Sequence, residues 1–226
     1  MTLAMAIPMA DSITPGNLPP YPDYLVYVDG LWKTAGPVHA EYPSARLLTM
    51  TVLGGQAVAD GCDCEPGDLD AASAAAWVRQ RLAAGAWRPV VYASASRMAD
   101  VIAELAKLGI SRARVRLMSA HYGIGEHICG PDVPGCGFPA ADGTQWTSTF
   151  AGLHGSKIDM SILLDDFFGV IPTMDAIPLN ICGSYTNNAG ELFVIGLDKA
   201  GVLHESKRTA SGVWTAPYAI AGKSGA

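Results

Sequence analysis

The chain has 226 residues, with 15 basic and 21 acidic side chains and a formal net charge of −6. That balance argues against duplex nucleic acid as a partner, because such proteins usually present a basic face. Half of the residues are hydrophobic and only 16% are charged, which excludes a disordered chain and supplies enough apolar material for a sizeable core.

Residues 1–23 carry five prolines and no apolar period, and read as an extended N-terminal arm. They hold no Lys or Arg ahead of an apolar stretch, so no signal peptide is expected and synthesis is placed in a cytoplasm. No apolar run reaches the length of about 18 residues that a membrane span needs. A first strand is expected over 24–28, ending at Asp29-Gly30, and a second over 47–53, closed by Gly54-Gly55. A short strand then leads into the polar segment GCDCEPGD. Residues 69–84 read as a helix, with Asp68 or Asp70 as its cap and Gly85 at its end. A strand over 87–93, an amphipathic helix over 96–108 and a strand over 115–120 follow.

A long Gly/Pro/Cys loop occupies 121–143, and two short strands are expected near 144–148 and 157–163. Alternation of strand and helix points to an α/β domain with parallel pairing. Six or seven strands with few helices suit a reduced or irregular (β/α) barrel better than an open doubly wound sheet. The pattern changes near residue 172. Residues 191–197, 201–206 and 212–220 read as three antiparallel strands, so 24–172 is expected to be the α/β domain and 173–226 a small antiparallel β module.

Asp29, Asp63, Glu65 and Asp159 sit at or just after expected strand ends. In a parallel barrel the C-terminal strand ends converge on one rim. Asp63 and Glu65 are two apart and so face the same side of a strand. Two carboxyls that close raise one another's proton affinity, letting one stay protonated while its neighbour is ionised. Glycoside hydrolysis uses such a pair. The competing reading is an acidic, turn-rich loop, and Asp68 and Asp70 fit it as caps of the following helix.

Five cysteines, Cys62, Cys64, Cys129, Cys136 and Cys182, are an odd number, which fits reduced thiols. His121, His127, Cys129 and Cys136 lie close together in the long loop. They admit a metal site, a Cys129–Cys136 disulfide or free thiols. The spacing is not a usual zinc spacing, and neither a metal nor a cofactor is assigned.

The order VYVDGLW, DCEPGD, AWVRQRLAAGAWRPVVYAS, LMSAHYG, TQWTS and KIDMSILLDDFFG resembles glycoside hydrolase family 25, the lysozyme-type muramidases, over roughly residues 24–169. The resemblance implies cleavage of the β-1,4 bond after N-acetylmuramic acid, with Glu65 as general acid and Asp63 as its partner. Asp29 and Asp159 would hold the substrate, and Tyr92, Tyr122 and Trp146 would form sugar-stacking walls. Asp63 follows Asp29 by only 34 positions, so the barrel is expected to lack a strand–helix unit. The style of the sequence also resembles minor tail proteins of mycobacterial phages. Residues 187–222 resemble one repeat of a lectin- or sialidase-like propeller, with Trp214 in the blade core. One blade cannot bury both faces alone, so packing on the first domain, a homo-oligomer or further repeats would be needed.

These features give a virion tail component that recognises cell-wall glycan. Its expected partners are that glycan and other tail proteins, with neither nucleic acid nor membrane. Whether it cleaves the glycan is left open. The alternatives are an active muramidase endolysin and an architectural subunit with a relic glycosidase fold.

Overall fold

A computed structural model describes residues 6–168 and four later strands, 180–186, 192–197, 203–208 and 218–219. The chain divides into two compact units, Met1–Leu164 and Asp165–Ala226, so the first unit ends a little before the expected boundary near 172.

The first unit is a closed barrel of eight strands: β1 (Ile7–Asp11), β2 (Asp23–Tyr27), β3 (Arg46–Thr51), β4 (Gly61–Asp63), β5 (Val90–Ser94), β6 (Arg116–Ala120), β7 (Gly143–Ala151) and β8 (Lys157–Leu163). Strands β1 to β7 are parallel in sequence order. Strand β8 runs against both β7 and β1 and closes the ring. Helices α1 (Ala35–Glu41), α2 (Ala71–Ala83) and α3 (Met98–Lys107) follow β2, β4 and β5. The other crossovers have no α-helix, which is where the barrel is irregular.

Two expectations change. The N-terminal arm is not simply extended chain, because Ile7–Asp11 is a barrel strand paired on both sides. Pro8 removes one ladder donor and interrupts the apolar pattern, which hides the strand in the sequence. With β1 counted, the strand ring is complete, and only the helix complement is reduced. The short β3–β4 connection is a turn-rich loop that needs no helix.

The pleat sorts side chains to two sides. Cys62, Cys64, Val91 and Ala93 face outward against Trp77 and Val78 of α2 and Met98, Val101 and Leu105 of α3. That outer layer explains the two cysteines flanking Asp63: they are free, buried and act as small apolar residues. A second outer cluster joins Ala10, Leu18, Tyr24, Val26, Val38, Ile158 and Met160. The opposite pleat face buries Met9, Leu25, Leu48, Met50, Val90, Met118 and Leu163 inside the barrel.

Asp70 caps α2 by accepting from the Ser73 amide at 2.7 Å. Toward the N-terminal strand ends, Asp142 accepts from Arg88 at 2.9 Å, from Arg112 at 2.5 Å and from the Leu117 amide at 2.7 Å. A carboxylate that well partnered ties β7 to β6 and the approach to β5.

The second unit contains a four-stranded antiparallel sheet in the order β12 (Tyr218–Ala219), β11 (Leu203–Arg208), β10 (Leu192–Leu197), β9 (Asn180–Thr186). It has one more strand than the sequence suggests, because β9 lies before the expected first strand. Trp214 lies outside the described residues.

Candidate functional site at the C-terminal mouth of the barrel

Six polar side chains come from the inward pleat face near the C-terminal ends of the parallel strands. Asp11, Tyr27 and Asp63 are the last residues of β1, β2 and β4. Tyr92 and Gln145 lie on β5 and β7. Asp159 is on antiparallel β8, and its register partner is Asp11. Glu65, in the bend two residues past Asp63, is half-buried and close enough to act on the Asp63 carboxyl.

Hydrogen bonds join these groups. Gln145 is the hub: its Nε2 donates to Asp11 Oδ2 at 2.9 Å, and its Oε1 accepts from Tyr92 at 2.7 Å. The Tyr122 hydroxyl donates to the same oxygen. The Tyr27 hydroxyl donates to Asp63 Oδ2 at 3.1 Å. Asp63 Oδ1 is buried without a hydrogen-bond partner, an expensive state for an ionised carboxylate.

The electrostatics follow from burying acids together. Burial, followed by the charge of Asp159, pushes Asp11 well above the ordinary carboxyl range. Asp11 therefore keeps its proton and donates it to Asp159. Burial raises Asp159 too, and the bond from Asp11 offsets part of that rise. Burial, then the charges of Glu65 and Asp68, push Asp63 up to about 7, against a lowering contribution from Tyr27. Glu65 is raised by burial and then by Asp68, with Arg97 pulling it back. Burial also lifts the Tyr122 phenol to about 12, so Tyr122 remains a neutral donor.

Asp63, raised to about 7, is thus present in both protonation states near neutral pH, beside carboxyls that burial also raises. That is the requirement for general acid–base chemistry, in which a donor and an acceptor of suitable proton affinity flank one bond.

The structure brings Asp63, Glu65, Asp159, Tyr92 and Tyr122 to this mouth. Tyr92 is buried with its hydroxyl on Gln145, so it braces the site from inside rather than offering a stacking face. Tyr122 is 46% exposed and does offer one. Asp29 lies just past β2 and turns to the end of β3. It accepts from the Thr51 hydroxyl and from the Val52 amide at 2.9 Å, and so braces the β3–β4 loop. Trp146 is on the outward pleat face, packed edge-on against Phe150 and the outer cluster, because its neighbour Gln145 points inward.

Sequence reasoning missed Asp11, Tyr27 and Gln145. Asp11 has the same signal as the acids that were singled out, an acid closing a short apolar run. Tyr27 and Gln145 could be found only from strand parity, once each strand's inward face is known.

No family model matches the chain, and no curated protein matches it. Among solved structures, the Clostridium perfringens spore cortex lytic enzyme SleM is similar at 11% identity over 88% of this chain and 89% of that chain, with a TM-score of 0.35. That likeness is too distant to define the chemistry of this site. What the fold and its mouth define is a class: an α/β barrel with a cluster of interacting carboxyls where its parallel strands end.

Proposed function

We propose that the barrel is a glycoside-hydrolase-like domain that binds and cleaves cell-wall peptidoglycan. The observation that carries this reading is the Asp63/Glu65 pair beside the Asp11–Asp159 pair, four carboxyls raised above their ordinary range first by burial, with Asp159 adding to the rise of Asp11 and Glu65, and Glu65 to that of Asp63.

Glu65, the least enclosed acid of the group, is assigned as proton donor to the leaving sugar oxygen. Asp63 in its ionised form stabilises the positive charge that develops on the sugar ring or activates a water. Asp159, half-buried and backed by Asp11, presents an acceptor to hydroxyl or acetamido groups. Tyr122, with Trp32 on the loop after β2, 51% exposed, offers ring faces to sugars. The setting on a phage tail, beside other tail proteins, is proposed from the sequence resemblance alone.

Release of reducing sugar from purified mycobacterial peptidoglycan tests the reaction. The parent should release sugar and Glu65→Gln should lose about 100-fold or more, the share a positioned proton donor supplies. Equal release by both proteins removes Glu65 from the mechanism. Pull-down on the same peptidoglycan without release by either makes the domain a glycan binder. Peptide mass spectrometry of purified virions tests the tail setting independently.

A further inference from the structure

The loop between β6 and β7, residues 121–142, has no helix or strand of its own. Loops of that length without secondary structure are uncommon in compact domains and are usually functional or linker segments. This one gathers His121, His127, Cys129 and Cys136, with one donor atom from each lying within 4.8 Å of all the others. His121 Nδ1 is 3.4 Å from the sulfurs of both Cys129 and Cys136 and 3.0 Å from His127 Nε2. His127 Nε2 is 3.7 Å from the Cys129 sulfur. Tetrahedral zinc, with bonds of about 2.0–2.3 Å to nitrogen and sulfur, sets its ligand atoms roughly 3.3–3.8 Å apart. The nitrogen–sulfur separations are already of that size.

Three further features suit a metal. His127 Nδ1 lies 2.8 Å from the Gly125 carbonyl. Donation there fixes the tautomer that leaves the Nε2 lone pair facing the cluster, the usual outer support of a ligating imidazole. Cys129 is held to the barrel by its amide on Thr144 Oγ1 at 2.8 Å and by its carbonyl on the Ala141 amide at 2.9 Å. Gly135 has φ +80, and a Cβ there would sit 3.0 Å from His121 Nε2, so a glycine lets the loop close over the imidazole. Both cysteines are buried and both histidines are half-buried.

We propose that His121, His127, Cys129 and Cys136 form a tetrahedral zinc site when both cysteines are thiols. In the structure Cys129 and Cys136 are joined by a disulfide, and zinc and disulfide are then alternative staples of one loop. Reduction by a dithiol breaks the S–S bond and delivers two electrons and two protons, while the dithiol becomes a disulfide. Zinc then binds the two thiolates, and the two thiol protons go to solvent. In a chain kept reduced from synthesis, no reductant is needed. Tyr122 follows ligand His121 directly and donates to Gln145, so either staple holds an exposed aromatic at the barrel mouth.

The test uses the full chain, reduced with a phosphine and kept anaerobic, titrated with cobalt(II) as a spectroscopic probe. One equivalent should give intense tetrahedral d–d bands and sulfur-to-cobalt charge transfer, both bleached by one equivalent of zinc. Cys136→Ser and His127→Gln should each weaken binding by about tenfold or more, and His39→Gln, on exposed α1, should not. A reading without variants is alkylation mapped by peptide mass spectrometry: zinc should protect Cys129 and Cys136 from iodoacetamide. Absence of the cobalt bands, or equal alkylation with and without zinc, overturns the site. Neither readout depends on glycan cleavage.

Discussion

Asp11 and Asp159 are register partners across the antiparallel β1–β8 pair that closes the barrel. Burial and the Asp159 charge raise the proton affinity of Asp11, and the hydrogen bond from Asp11 lowers that of Asp159, so Asp11 is the proton-bearing member of the pair. Gln145, from the far side of β8, donates to the other side of this arrangement at Asp11 Oδ2. Barrel closure and site electrostatics are therefore the same contact.

Asp11→Asn keeps a donor where the Asp11 proton sits and an acceptor for Gln145, so it should leave the thermal midpoint nearly unchanged at pH 7. Asp11→Ala removes both and strands buried polar groups, at a cost of about 1–3 kcal/mol for each group left unsatisfied. Thermal unfolding of the two variants side by side decides it. An Asn variant as unstable as the Ala variant would show that Asp11 is not the proton-bearing member.

Much of this architecture was legible, and the reasons for the rest are specific. Strands β2 and β3 and helix α3 announce themselves through apolar runs and a single apolar face. Strand β1 does not, because five residues with a proline give no period, and its worth comes from partners far along the chain. Without β1, Asp11 is invisible and Asp29 looks like the first acid of the site. The D-x-E pair was legible because two acids close a short run of strand character, although only Asp63 is on β4 and Glu65 lies in the bend that follows it. Trp146 was misplaced by one residue of parity: choosing the aromatic over Gln145 chose the outer face. The second unit shows its strands by alternation, but β9 lies in a stretch whose cysteine, glycine and asparagine blur that signal.

Gly61 reports on the packing beneath the site. It is on β4 two residues before Asp63, and a Cβ there would meet Met50 Sδ at 2.6 Å and Val90 Cβ at 2.8 Å. The methionine end can move, but a β-carbon moves only with its backbone. Gly61→Ala should therefore destabilise by about 1–3 kcal/mol through overpacking, measured by urea unfolding. Met50→Ala carries its own cavity cost, so a double-mutant cycle reads the clash, and its coupling energy should offset only part of the Gly61→Ala loss. A coupling energy equal to the whole Gly61→Ala loss would place the clash on the methionine alone.

Asp63 ties the chemistry to stability with a definite sign. Its folded-state value is about 7, raised from 3.8. Below about pH 4 the carboxyl is protonated in both folded and unfolded chains, and burial carries no charge penalty. Between about pH 4 and 7 the unfolded chain ionises first, so stability falls as pH rises, and the penalty is complete above 7. Each tenfold gain in proton affinity on folding is worth about 1.4 kcal/mol, which makes the full penalty about 4 kcal/mol. Asp63→Asn escapes it: the variant should be more stable than the parent at pH 8, with the gap closing by pH 4. Tyr27→Phe removes the hydrogen bond that lowers Asp63, so its stability should decline up to a higher pH than the parent's. Urea midpoints from pH 4 to 9 give all three curves. A stability difference between parent and Asp63→Asn that does not change with pH would mean that Asp63 titrates as an ordinary carboxyl, and that it is ionised throughout the range where the site would work.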